Sequence, residues 1–249
     1  MLVMLAITSI MATGLASCDK ENGPDENRDF SNDKKLVKIV YQEVGDEDVE
    51  VTTFKYGVNG RLIEVVEDEM KSSFVWEDDE VKIHTEYYFP SSFNTTKTLS
   101  LANGLAQTSC DYGRLSYNQS NRLVKYEENA RVLDYVWEGN KLMSVTEDGF
   151  VMSITYSQYC KKGYFPLLDE ITEWLGGYLC YAHPELFGLR TVHLPSSVSY
   201  IDGNRVVLAT YSYAFDNEGY ITKITQTFNG EGEETDYLPY TDTYTLTWE

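Results

Sequence analysis

Residues 54–62 read Phe54-Lys55-Tyr56-Gly57-Val58-Asn59-Gly60-Arg61-Leu62. An aromatic closes one short run, an aliphatic opens the next, and Asn-Gly stands between them. Asn-Gly supplies the positive φ that a tight hairpin turn demands. Tyr56 and Leu62 are therefore expected to face each other across an antiparallel ladder. The same unit recurs through the chain. It appears as Leu99 to Leu105 around Asn103-Gly104, and as Tyr117 to Leu123 around Asn121. Trp137 to Leu142 carries it around Gly139-Asn140, and Phe215 to Ile221 around Asp216 and Gly219. Phe74 to Val81 repeats it around Asp79 without a glycine.

Spacing decides between sheet types. Tyr56 to Trp76 is 20 residues, and so is Tyr117 to Trp137. Two strands of five to eight residues plus two turns use about that length. Parallel pairing would need helical crossovers, for which there is no room. The strands are thus expected to form an antiparallel meander. The six prolines (24, 90, 166, 184, 195 and 239) fall outside the expected strands, as a hydrogen-bonded ladder needs.

The last third follows the same rule. Ala209, Tyr211, Tyr213 and Phe215 share one face of a strand, and Tyr220, Ile224 and Phe228 one face of the next. Tyr244, Leu246 and Trp248 share a face of the last, with Thr241, Thr243, Thr245 and Thr247 opposite. Period-two alternation means a sheet with one wet face. Residues 158–203 interrupt it. Pro166 opens a helical pattern of Leu167, Leu168, Ile171, Trp174 and Leu175, with Asp169 and Glu170 in its first turn and Gly176-Gly177 as a stop. One short helix near residues 166–176 is expected to cover an open end or an apolar face of the sheet. His183 to Gly188 reads as a turn. The fold class is all-β: an antiparallel β-meander forming an open or half-closed barrel.

The chain has 249 residues, which suits one domain. Twenty Lys and Arg against 40 Asp and Glu give a net charge of -20, which excludes phosphate-driven nucleic-acid binding. Apolar residues make up 42%, enough for a core, and aromatics reach 14%, which leans toward strands.

Residues 1–18 read MLVMLAITSIMATGLASC, one apolar run without a charge that ends in small residues. That is a secretory h-region. Leu15-Ala16-Ser17-Cys18 resembles the bacterial lipobox, although no Lys or Arg precedes the apolar run. The expected organisation is a signal peptide over 1–17, a lipidated Cys18 with an acidic tether over 18–35, and a single all-β domain over 36–249. The tether reads Asp19-Lys20-Glu21-Asn22 and onward, polar, charged and nearly free of apolar groups. These acidic residues resemble the surface-export signals of some Gram-negative lipoproteins. Seventeen residues at full stretch span at most roughly 56 Å. The lipid would anchor the protein to a membrane through buried acyl chains without a span.

Three cysteines then remain: Cys110, Cys160 and Cys180. Cys160 and Cys180 flank one irregular segment and could pair in an oxidising compartment; small buried residues are the favoured reading.

Little in the sequence carries chemistry. Cys180, His183 and His193 have the residue types for zinc but not the ligand number, so no metal is expected, and no cofactor. Cys160 or Cys180 with His183 could form a nucleophile pair, but nothing in the sequence brings them together. Acidic runs such as Glu67-Asp68-Glu69 and Glu77-Asp78-Asp79-Glu80 read as solvated turns. The remaining hint is aromatic. Trp76, Trp137, Tyr135, Tyr211 and Tyr213 are candidates for stacking on sugar rings, weighed against burial in the core, which alternation favours.

The units at Tyr56 to Leu62 and Phe215 to Ile221 resemble the YD repeat of large secreted shell proteins, with Gly57 where that repeat has Asp. The layout as a whole resembles small lipoproteins of Gram-negative gut bacteria, an uncharacterised domain family with a porin-like β fold. The shared features are the lipobox, the acidic tether, serial Tyr-to-Gly-Arg-Leu hairpins, a helical break, the Leu194-Pro195 loop and the closing Phe215-Asp216 to Gly219-Tyr220 hairpin. That resemblance implies an open or half-closed antiparallel barrel and supplies no catalytic residue.

Charges such as Lys38, Lys82, Lys125 and Lys223 within the strands argue against a true membrane pore. The expected protein is a non-enzymatic, lipid-anchored component of the cell envelope, on the surface or periplasmic face of the outer membrane. It would bind a partner or serve in assembly. Its partners would be the membrane, through the anchor, and a glycan or another envelope protein, with no nucleic acid. The alternatives are an accessory glycan-binding lipoprotein and a hydrolase with an unrecognised carboxylate pair.

Overall fold

The computed structural model describes residues 33–88, 92–109, 113–159, 162–163, 175–191, 193–202, 204–231 and 239–249. Sixteen strands run in chain order. The first eight are β1 (Leu36–Glu43), β2 (Glu50–Tyr56), β3 (Leu62–Val66), β4 (Met70–Trp76), β5 (Glu80–Tyr87), β6 (Phe93–Ala102), β7 (Leu105–Ala106) and β8 (Arg114–Tyr117). The second eight are β9 (Leu123–Glu128), β10 (Arg131–Glu138), β11 (Lys141–Glu147), β12 (Phe150–Tyr159), β13 (His193–Asp202), β14 (Arg205–Phe215), β15 (Ile221–Glu231) and β16 (Tyr240–Trp248). Between β12 and β13 lie the helix α1 (Tyr178–Ala182) and a 3₁₀ turn (Pro184–Phe187).

All ladders between these strands are antiparallel, and all sequence neighbours pair except β7 and β8. The sheet closes upon itself in two places. β1 pairs with β16, and the chain ends add a reciprocal bond pair in which Glu249 N–H donates to the Lys35 carbonyl at 2.9 Å. On the far side β7 and β8 approach through a bridge between Thr108 and Arg114, and Leu115 N–H reaches the Gln107 carbonyl at 3.0 Å. The result is a nearly closed barrel.

The hairpins form as turn chemistry demands. Tyr56 pairs with Leu62, Trp76 with Val81, Tyr117 with Leu123, Trp137 with Leu142 and Phe215 with Ile221. Four of these ladders carry a register shift at the aromatic itself, beside Tyr56, Tyr117, Trp137 and Phe215. A bulge there bends the strand and tightens its twist, which turns a meander into a barrel.

Each of several aromatics also clasps the neighbouring strand. Trp76 Nε1–H donates to the Leu62 carbonyl and Trp137 Nε1–H to the Leu123 carbonyl, both at 2.7 Å. The Tyr56, Tyr156 and Tyr213 hydroxyls do the same to Leu36, Leu142 and Pro195, at 2.9, 2.6 and 2.7 Å. Leu36, Leu62 and Leu123 are the first residues of their strands, Leu142 the second and Pro195 the third, so all five clasps lie near strand starts at one rim. The clasps expose an internal duplication. Tyr56, Arg61, Leu62 and Trp76 map onto Tyr117, Arg122, Leu123 and Trp137 at a constant offset of 61 residues. In both copies the arginine lies over the tryptophan ring, at 5.1 and 5.0 Å.

Three expectations are modified. Pro195, expected outside the strands, lies within β13 opposite Tyr156, where the ladder to β12 shifts register on both sides of Tyr156 and such an irregularity tolerates a proline. Strands β14 and β15 run 11 residues, beyond the five to eight expected, because ladder bonding continues through residues such as Asn229 and Gly230 that carry no hydrophobic pattern. Residues 166–174 of the expected helix lie outside the described residues. The described helix follows directly, and Gly177, read as a stop, stands at its N-cap with φ 51°.

Inward side chains alternate with outward ones. Leu62, Val65, Val81, Leu99, Leu123, Ile221 and Ile224 are fully buried in the lumen. Leu175, Leu179, Cys180 and Phe187 join the same core, so the segment between β12 and β13 plugs the barrel from within. Outward positions hold Lys55, Lys71, Lys82, Lys125 and Lys223, which suits water. No helix among the described residues is long and apolar enough to cross a membrane.

Candidate functional site

The plug lies at one end. His183 Nε2 accepts the Leu62 N–H at 3.1 Å, and its ring packs edge-on against Trp76 at 5.1 Å. Nδ1 lies 3.0 Å from Glu185 Oε1. Burial alone would raise the Glu185 carboxyl, but the bond to His183 and the nearby Arg190 hold it below the usual carboxylate range. The Arg122 guanidinium donates to the Arg190 carbonyl and to Asn140, so the loop after the plug is tied to two turns of this rim. A cleft of about 320 Å³ remains beside Arg61, Trp76 and Glu185.

The opposite end is open. A cavity of about 400 Å³ lies there, inside the range of roughly 300–1,000 Å³ typical of small-molecule sites. Its floor is the helix, through Tyr178 and Tyr181. Its principal wall is the seam where the chain ends meet. Tyr41 of β1 stands opposite Tyr244 of β16, ring centroids 5.2 Å apart. Asp242 of β16 stands opposite Gln226 of β15, and Phe228 stacks on Tyr240 at 4.5 Å and 20°. The same wall continues from β1 into β2 and β3, with Thr52 of β2 and Glu67 just beyond β3 joined by a 3.0 Å bond from the threonine hydroxyl to Oε1.

Its electrostatics are one-sided. Glu50, Glu67 and Asp242 line the cavity, with no Lys, Arg or His among the described lining residues. Asp242 is 5% exposed and accepts from the Tyr41 hydroxyl at 3.1 Å. Burial, then the Asp242 charge, pushes the Tyr41 phenol far above its ordinary value, so it remains a donor. Burial also raises Glu67, aided by Glu50, Asp68 and Glu69 and opposed by the bond from Thr52. Gln226 is fixed by its own bond to the Tyr211 hydroxyl at 3.1 Å.

The stacking candidates separate in space. Tyr135 is a core residue, 4% exposed. Trp76 and Trp137 are rim clasps with arginines over their faces. Tyr213 is another clasp. Tyr211 alone reaches the open cavity, indirectly, by holding Gln226. Cys18, Cys110 and Cys160 lie outside the described residues. Cys180 is a buried thiol of the core. Both ring nitrogens of His183 are already engaged, by Leu62 and Glu185. His84 is exposed and lies 3.1 Å from Thr96. The tyrosines of the cavity wall were overlooked in the sequence. Their signal was the inward phase of β1 and β16, in which Tyr41 stands between Val40 and Gln42 and Tyr244 between Thr243 and Thr245.

The fold is that of a porin-like protein from Bacteroides uniformis, whose crystal structure superposes with a TM-score of 0.63. The two share 16% identity, over 86% of this chain and 98% of that one. No family model matches the sequence, and no curated protein does. The likeness is one of architecture. In the present chain that architecture is a barrel with a packed lumen and one open mouth.

Proposed function

We propose that this chain is a non-enzymatic, lipid-anchored binding protein of the cell envelope that receives a small molecule in the open mouth of its barrel. The observation that carries this reading is polarity. The chain enters the barrel at Lys35, on the plugged rim, and the cavity opens at the other end. A tether from an acylated Cys18 would attach the plugged rim to the membrane and turn the mouth outward. The porin-like neighbour from a Gram-negative bacterium supports an envelope address. The packed lumen supports binding over passage, since a channel needs a continuous polar path. The mouth pairs aromatic surface with a few fixed polar groups, the usual make-up of a ligand site.

The glycan-binding alternative draws on the stacked Phe228 and Tyr240, which present apolar faces beside carboxylates suited to sugar hydroxyls. Two measurements test the reading. Cys18→Ala should release the protein from membranes; a variant that still fractionates with the envelope would remove the anchor. Ligand-observed NMR with the full chain in detergent should show small molecules contacting the cavity tyrosines. Absence of any such contact across neutral sugars and organic ions would remove the binding role.

A further inference from the structure

The plugged rim carries two copies of one arrangement, and the chain itself fills only one of them. We infer that the other copy, the cleft in front of Arg61, receives a main-chain segment of a partner protein.

The filled copy shows what the arrangement grips. Arg122 lies over the Trp137 ring at 5.0 Å, and its guanidinium donates to the Arg190 carbonyl and to the Asn140 side chain. What it holds is ordinary backbone, in the segment Gly188-Leu189-Arg190-Thr191. Sixty-one positions earlier, Arg61 lies over Trp76 at 5.1 Å in the same way. Its backbone N–H is held by Asn59, but no hydrogen bond or ion pair among the described residues engages its guanidinium. Asp79 stands where the second copy has Asn140.

The plug accounts for the difference. It meets the first copy through His183, on the Leu62 N–H, and the second through Gly188, which lies against the Asn121 carbonyl and the Leu123 nitrogen. Its backbone therefore reaches Arg122 and leaves a cleft of about 320 Å³ beside Arg61.

The lining of that cleft selects the ligand. Trp76, Leu101 and Leu186 give it apolar surface. Glu77 is paired with Lys82, and Glu185 is held by His183, with Arg190 at 3.7 Å. Arg61 and Asp78 remain, one charge of each sign, so the cleft favours neither an anion nor a cation. A neutral peptide unit uses both: its carbonyl accepts from Arg61 and its N–H donates to Asp78. An apolar side chain beside it meets Leu101 and Leu186. Stacking on Trp76 already orients the planar guanidinium, so little freedom is lost when it bonds. The site lies on the rim opposite the mouth and stands whether or not the mouth holds a ligand.

The test uses the full chain in detergent and the capped peptide acetyl-Gly-Leu-Arg-Thr-amide, which reproduces the segment held by Arg122. Nitrogen-15 NMR should show the Trp76 indole N–H shifting saturably with peptide while the Trp137 indole stays in place. Arg61→Met keeps the stem over Trp76 and removes the fork, and should weaken the peptide about tenfold, the loss of a charge-assisted bond. Circular dichroism and melting check its folding; Arg61→Lys, which keeps the charge without the fork, replaces it if it is unstable, with the same loss expected. No shift at Trp76 with millimolar peptide, or equal binding by the variant, overturns the proposal. Displacement of the peptide by acetate or phosphate does so too, because it would mark an anion site. So does tighter binding of the uncapped peptide, since a partner's unbroken chain brings no free ends to the cleft.

Discussion

His183 and Leu62, 121 positions apart, are joined by one hydrogen bond from the Leu62 N–H to His183 Nε2 at 3.1 Å. Because Nε2 accepts, the ring proton sits on Nδ1, facing Glu185 at 3.0 Å. The plug is thereby fastened to the mouth-distal end of β3. Replacing His183 with Phe keeps an aromatic ring against Trp76 but leaves a buried donor orphaned. The expected loss is about 1–3 kcal/mol in chemical denaturation. Nitrogen-15 shifts of the imidazole should report the Nδ1–H tautomer, and an Nε2–H signature would contradict the arrangement.

Tyr135 offers the opposite case. Its hydroxyl is buried without a hydrogen-bond partner, and burial drives its acidity far down. Tyr135→Phe removes an unsatisfied polar atom with little change in shape. Stability should rise by about 1 kcal/mol. A fall in melting temperature would show that the hydroxyl has a partner after all.

Gly188 closes the 3₁₀ turn with φ 62°, and an added Cβ would collide with the Asn121 carbonyl and the Leu123 nitrogen. Gly104 has φ 77° with open space around it. Gly104→Ala should therefore cost only the left-handed penalty of about 1–2 kcal/mol. Gly188→Ala should cost clearly more, because backbone on both sides must move. Equal losses in a paired denaturation experiment would mean the turn does not press on the rim.

Glu67 makes the pH dependence of the mouth predictable. Its acidity is weakened mainly by burial, with Glu50, Asp68 and Glu69 adding repulsion. A carboxyl raised in the folded state contributes stability that is present below its unfolded value and lost as pH rises through the folded one. Glu67→Gln should therefore raise the melting temperature at pH 7 and leave it nearly unchanged at pH 4. A variant less stable at pH 7 would show that the Thr52 bond outweighs burial.

The hairpins were legible because their determinants are local. Asn59-Gly60 fixes a turn, and the turn fixes Tyr56 against Leu62 with no reference to the rest of the chain. The closure of the barrel was not, since it depends on Leu36 finding Trp248 and on Thr108 reaching Arg114. The mouth was hidden for the same reason: Tyr41 and Asp242 meet across 201 positions. Trp76 and Trp137 were noticed as aromatics, but their task of capping a strand-opening carbonyl needs the neighbouring strand to be known. The 61-residue offset between Arg61 and Arg122 was present in the sequence throughout. It would have shown that both tryptophans serve one repeated structural purpose.

The pairing of β1 with β16 sets an order of events during biogenesis. Leu36–Glu43 leaves the ribosome long before Tyr240–Trp248, so β1 has one neighbour and a bare edge until β16 emerges. Hairpins downstream can zip as they emerge, whereas the seam must wait for the nine residues of β16. Loss of those residues by premature termination would leave two unsatisfied edges and an unfinished mouth, a species prone to self-association.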